Sequence, residues 1–147
     1  MARRSPRSRS GRARSQRPRG PRARPAPGQD CPCGAGGPYD SCCGRLHAGA
    51  AAADTAEALM RSRYSAFALG DAAYLLRTWH PDTRPDRLDL DGDRRWTGLE
   101  ILATTGGTAF HASGTVAFRA HYRDPEGPGA QEETSEFLRL DGAWVYR

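Results

Sequence analysis

Four cysteines, Cys31, Cys33, Cys42 and Cys43, fall within the thirteen residues CPCGAGGPYDSCC, and the 147-residue chain has no others. Thiols this close in sequence can ligate a metal, pair as disulfides or cycle as a redox dithiol. A structural zinc ion takes four ligands in a tetrahedron and favours thiolates at roughly 2.3 Å, so supply matches demand. To reach one ion the two arms must fold back on each other, and Gly34, Gly36, Gly37 and Pro38 lie between them. Glycine adopts positive φ without a Cβ clash, and the turn leaves backbone N–H groups free to bond sulfur. Disulfides require an oxidising compartment, and the N-terminus has no apolar run of the kind that forms a signal-peptide core. A redox pair would more usually read C-x-x-C beside a βαβ pattern, which is absent. Zinc held by four thiolates is therefore expected, with His47 as an alternative to one sulfur. Such a site is closed, with no position for an activated water, and is expected to organise a surface.

A second constellation centres on Arg63. Ala56, Leu59, Met60, Tyr64 and Phe67 share one helical face at ~100° per residue, and Arg63 falls in the middle of that stripe. A guanidinium facing a core needs a carboxylate, carbonyls or an anionic ligand. Either Arg63 pairs with Glu100 or Glu136 from a sheet, or it clamps an anion in a pocket with Arg61 as a second donor. The expected lining of that pocket is Arg61, Arg63, Tyr64, Trp79, Trp96 and Glu100. Glu100 is also the one candidate carboxylate for acid–base chemistry. His80 is expected to interact with a helix dipole, and His111 and His121 to lie on the surface.

The elements that must position these residues follow from local signals. Asp54-Thr55-Ala56-Glu57 reads as a capping box with Asp54 as N-cap, and Gly70 fits the C′ position, giving a helix from about Thr55 to Leu69. Asp71 caps a shorter helix to about His80, stopped by Pro81. From Trp96 the period becomes two: Leu99, Ile101 and Ala103 mark one strand, and Val116, Phe118, Ala120 and Tyr122 mark another with a basic outer face. A loop over 124–129 leads to a strand from Glu132 to Leu140, and Asp141-Gly142 makes a two-residue hairpin turn. Helices followed by antiparallel strands, with no βαβ alternation, give an α+β class.

At the cysteines the chain resembles the SEC-C motif, a small zinc knuckle also found at the C-terminus of the SecA translocation ATPase. Ala35 stands where that motif often has Ser. The following ALMRSRYSAFALGDAAYLLRTWH resembles the YchJ family of bacterial proteins, and the likeness runs from about Cys31 to Arg147. It implies a zinc knuckle followed by a nuclear transport factor 2-like cone, in which helices pack on a curved antiparallel sheet. Many members of that family carry a second C-terminal knuckle, whereas four cysteines supply only one. No activity carries over from the resemblance.

Composition divides the chain. All 22 basic side chains are arginine; ten lie in residues 1–29 with no acid, and the remaining twelve are outnumbered by seventeen carboxylates. An Arg, Ser, Pro and Gly segment cannot bury enough apolar surface to offset chain entropy, so residues 1–29 are expected to be disordered. The organisation read from sequence is this tail, a knuckle over 30–48 and a cone over 54–147. No stretch is apolar and long enough for a membrane span, and a cytoplasmic protein is expected.

Three functions compete. The favoured one is a non-catalytic adaptor whose zinc knuckle contacts a protein or the ribosome, by analogy with translocase knuckles. The second is a binder of an anionic small molecule, or an enzyme, using the cone. The third is salt-sensitive, sequence-independent nucleic-acid association through residues 1–29.

Overall fold

The computed structural model describes residues 22–147. Three helices, α1 (Cys43–His47), α2 (Ala56–Leu69) and α3 (Ala72–Arg77), precede four strands, β1 (Arg95–Gly106), β2 (Ser113–Asp124), β3 (Gly127–Leu140) and β4 (Ala143–Tyr146). The strands pair in the order β1-β2-β3-β4, antiparallel throughout. This is the expected α+β cone, with helices against a curved sheet.

Helix α2 begins one residue later than the capping-box reading. Thr55 is the N-cap, its Oγ1 accepting from Ala58 N at 3.0 Å. The Asp54 carbonyl is held by Trp144 Nε1 at 3.1 Å, and Glu57 turns along the helix to Arg61 at 3.4 Å rather than back to the cap. Gly70 closes the helix in the left-handed conformation, φ 73°. Asp71 caps α3 as expected, but that helix stops at Arg77. Beyond it the chain joins the edge of β4, with Tyr146 N donating to Thr78 O at 2.8 Å and His80 N to Tyr146 O at 2.6 Å. His80 therefore lies outside the helix, its Nδ1 accepting from Asp82 N at 3.1 Å.

The alternation read in β2 holds: Val116, Phe118 and Ala120 are buried against α2. Strand β1 departs from simple alternation through irregularities between Trp96 and Gly98 and between Ile101 and Ala103. Each inserts a residue, so side-chain parity flips and the strand bends. The hairpin between β2 and β3 is tighter than the loop expected from sequence. Asp124 pairs with Gly127, and Gly129 lies under the Tyr122 ring, where a Cβ would sit 2.6 Å from Cζ. Asp141 and Gly142 have φ 51° and 83°, the mirror-image turn that suits strand twist.

One apolar cluster joins Cys31, Cys33, Tyr39 and Cys43 to Leu59, Met60, Tyr64, Val116, Phe118 and Phe137. The cysteine-rich segment and the cone therefore share a core, with α2 between them. This explains why α2 is buried on more than its predicted stripe: Ser62, Ser65 and Ala66 are fully inaccessible. Among the described residues no helix is long and apolar enough to cross a membrane.

Candidate metal centre and cone cavity

The arms of the knuckle are closed by backbone pairing. Cys31 N donates to Gly37 O at 2.9 Å and Tyr39 N to Gln29 O at 2.8 Å, while Gly34 and Gly36 take φ 75° and 93° in the turn between them. A single 3-10 turn, Tyr39–Ser41, delivers Cys42 and Cys43, and the latter opens α1. The four Sγ atoms lie within 4.8 Å of one another, and Cys33 and Cys42 are 3.6 Å apart. Tetrahedral thiolates at roughly 2.3 Å from one ion stand about 3.8 Å apart, so the donor set fits a metal of that size. None of the four is in a disulfide.

Protonation supports the same conclusion. The S–H groups of Cys33 and Cys43 hydrogen-bond to Cys31 and hold its thiol well below the ordinary range, and those same contacts push Cys33 and Cys43 up, with burial adding to the rise. Close thiols thus oppose one another's ionisation, Cys31 being favoured at the expense of Cys33 and Cys43. A cation at its centre would supply the charge that stabilises the thiolates. Backbone N–H groups of Cys33 and Cys43 also bond the Cys31 sulfur, and that of Ala35 bonds Cys33, the outer contacts expected from the glycine turn.

His47 is not a ligand. Its Nε2 lies 2.8 Å from the Ser62 carbonyl, which can only accept, so Nε2 carries the proton and Nδ1 accepts from Tyr39 Oη at 2.7 Å. Burial pushes the imidazole below its usual pKa. Three residues of α2 complete the seam. Ser65 Oγ lies 3.6 Å from Cys31 Sγ, Ser62 O holds His47, and Arg61 Nη1 donates to Cys33 O at 2.8 Å. Arg61 thus serves the knuckle and does not line the cavity.

On the other side of α2, a cavity of about 160 Å³ opens between helix and sheet. Arg63, Tyr64, Trp79 and Trp96 line it together with Met60, Phe67, Phe118, Ala120, Tyr146 and three polar residues of β3, Gln131, Glu133 and Ser135. Arg63 is 4% exposed. Its Nη1 donates to Leu75 O and Thr78 Oγ1, both at 2.7 Å, and its guanidinium lies 4.5 Å from the Tyr146 ring centroid and 5.2 Å from that of Trp79. Among the described residues no carboxylate forms an ion pair with it. Burial lowers its pKa to about 10, which leaves it charged at neutral pH.

Neither carboxylate expected beside Arg63 is there. Glu136 is exposed on the outer face, opposite Thr115. Glu100 is also outside, 2.6 Å from His121 Nε2 and 3.4 Å from Arg119, which holds its carboxyl below the usual range. The bulge after Trp96 is the cause: it leaves Trp96 facing inward while turning Glu100 out beside Arg119. The outer face consequently carries a mixed-charge ladder, Glu100–Arg119–Glu132, instead of a basic surface. The missed carboxylate is Glu133. Its signal lay in the alternation Gln131, Glu133, Ser135, Phe137, because strand register pairs the first three with inward Ala120, Phe118 and Val116. Of the Arg-rich segment, residues 1–21 lie outside the described residues.

A four-sulfur cluster in a glycine-turned knuckle, docked on a helix-and-sheet cone with an aromatic cavity, defines a SEC-C-type knuckle followed by a nuclear transport factor 2-like domain. Residues 55–147 match the family described as YchJ, middle NTF2-like domain. The chain is 65% identical over 120 residues to a UPF0225 protein of Streptomyces coelicolor, covering 82% of this chain and 94% of that one. It is 48% identical over 121 residues to a UPF0225 protein of Deinococcus radiodurans, covering 82% and 88%. The chain belongs to this YchJ (UPF0225) family. The solution structure of a SEC-C motif containing protein from Rhodopseudomonas palustris superposes with a TM-score of 0.71 at 35% identity, covering 80% of this chain and 94% of that one. The crystal structure of a SEC-C motif containing protein from Psychrobacter arcticus gives 0.67 at 31% identity, covering 80% of each.

Proposed function

We propose that this chain is a zinc-clamped small-molecule binder. Zn2+ on Cys31, Cys33, Cys42 and Cys43 holds the knuckle over 30–48 against α2, and the cone over 54–147 takes a ligand through an anionic group. The observation that carries the reading is Arg63: a guanidinium 4% exposed, with no carboxylate partner among the described residues, in the wall of an otherwise largely aromatic cavity. The metal is structural, since four sulfurs leave no open coordination position. Reduced thiols fit a cytoplasmic location.

The adaptor function favoured by sequence stays a second proposal: the inner side of the knuckle is used by Arg61, Ser62 and Ser65, while Ala35, Gly36, Pro38, Asp40, Ser41 and Arg45 on its outer side are exposed to a partner. One observation favours protein contact elsewhere. Phe110 is 98% exposed at the tip of the β1–β2 loop, and Arg139 holds that loop by donating to the carbonyls of His111 at 2.8 Å and Ala109 at 3.2 Å. Nucleic-acid association through residues 1–29 stays a proposal from composition alone.

Metal analysis with tryptophan fluorescence tests the first reading. One zinc per chain is expected, together with a saturable response to at least one small anion that disappears in Ser135→Leu, where the added side chain fills the cavity. Zinc-free protein with four titratable thiols would overturn the metal assignment. The absence of any response to anionic or neutral small molecules would overturn the cone assignment.

A further inference from the structure

The cavity's size, walls and charge together narrow its ligand, and this inference rests on the cone reading above. A cavity of about 150 Å³ lined by apolar side chains is large enough to hold benzene, and the space here is about 160 Å³. Six rings, from Tyr64, Phe67, Trp79, Trp96, Phe118 and Tyr146, form most of its wall. Edge-to-face pairs already fix several of them, with Trp96 at 6.2 Å from Tyr64 and Trp79 at 5.1 Å from Tyr146. Such walls favour a flat ring over a branched aliphatic body.

Charge in the lining is confined to two places, Arg63 and Glu133; the neutral polar groups include Ser135 and the indole N–H of Trp79, which has no partner among the described residues. At Arg63, Nη1 is satisfied by Leu75 O and Thr78 Oγ1, whereas Nε and Nη2 have no acceptor among the described residues. Those N–H groups form the planar fork that matches a carboxylate. At the sheet, Glu133 is the one carboxylate in the wall, and Gln131 Nε2 donates to its Oε2 at 3.2 Å. A second negative charge on the ligand would meet that carboxylate. We infer that the cone binds a single-ring aryl monocarboxylate, with the ring among the six aromatic side chains and the carboxylate on Arg63.

The test is a tryptophan-fluorescence titration of the zinc-loaded full chain, because Trp79 and Trp96 both line the cavity. The probes are benzoate, toluene, benzylamine, acetate and terephthalate. Benzoate is expected to bind at least tenfold more tightly than each of the others. In Arg63→Met, benzoate affinity is expected to fall at least tenfold while toluene still binds, which shows that the fold and cavity persist. If that variant does not fold, the ranking on the unaltered chain decides. Toluene matching benzoate would overturn the carboxylate assignment, acetate matching it would overturn the ring, and terephthalate matching it would overturn the single charge. Each of these leaves the cone as a binding site, whereas no response to any probe would overturn both this inference and the cone reading.

Discussion

The two sides of helix α2 make opposite uses of buried polar groups. On the knuckle side nearly every one has a partner: Ser62 O accepts from His47 Nε2, His47 Nδ1 accepts from Tyr39 Oη, and Arg61 donates to the Cys33 carbonyl. On the cone side Arg63 keeps N–H groups unused beside a cavity. Unpaired buried polar groups are costly; Trp79 Nε1, on the cone side, is one of two such side-chain atoms among the described residues, and this asymmetry is what the proposed binding role of the cone would use. In the proposed reading the closed side holds the helix in place and the open side binds through what that helix presents.

This contrast can be broken from either side, and metal removal is the largest perturbation. Chelation, or Cys33→Ser, is expected to abolish cooperative folding of the knuckle, since structural zinc binding supplies on the order of 10 kcal/mol near neutral pH. Circular dichroism melts with and without chelator measure it. Acid acts in the same direction, because thiolate ligands must take up protons as the metal leaves, so metal retention is lost as pH falls. Within the cone, Phe137→Ala removes a fully buried ring from the shared core and is expected to cost about 3–5 kcal/mol in denaturant unfolding, with zinc content unchanged.

Arg63→Met is expected to cost less, about 1–3 kcal/mol, because Leu75 O and Thr78 Oγ1 lose a charged donor while the cavity wall keeps its volume. Its ligand effect should exceed its stability effect. Ser65→Ala removes the hydroxyl that contacts the cysteine cluster from α2. Competition with a chelator is expected to show zinc affinity reduced about tenfold, equivalent to about 1.4 kcal/mol of zinc-linked stability. Glu100→Gln is the smallest. Its carboxyl is held low by His121 and Arg119, so its contribution is present above the normal carboxylate range and fades as pH falls through the lowered value. Full exposure and salt screening leave no measurable change in Tm expected at pH 7 and moderate salt.

What was legible in the sequence was local chemistry. The cysteine spacing, the glycine turn, Arg63 within an apolar stripe and the Asp141-Gly142 hairpin each depend on residues a few positions apart. What was not legible depended on register or on contacts between distant segments. Glu100 read as an inward partner by parity with Trp96, although the alternation of Leu99 and Ile101 sets it on the outer face; the bulge after Trp96, which no residue marks, is what lets Trp96 and Leu99 both face inward. Arg61 read as a cavity donor because nothing near it in sequence places the Cys33 carbonyl within its reach, 28 residues away. Ser62, Ser65 and Ala66 did form a stripe of small residues on the far side of α2, the trace of a close-packed neighbour. Glu133 was accessible through alternation from Phe137 once that residue is taken as inward.

The central claim is that the cysteine knuckle and the cone share helix α2 and one core, so that metal bound at the first is proposed to hold the helix that the second presents. Hydrogen exchange of the full chain, with zinc and after chelation, tests it most directly. Loss of protection across Ala56–Leu69 together with residues 30–48 is predicted. If chelation exposed only residues 30–48 and left the α2 amides as protected as before, the knuckle would be an independent appendage and the claim would be contradicted.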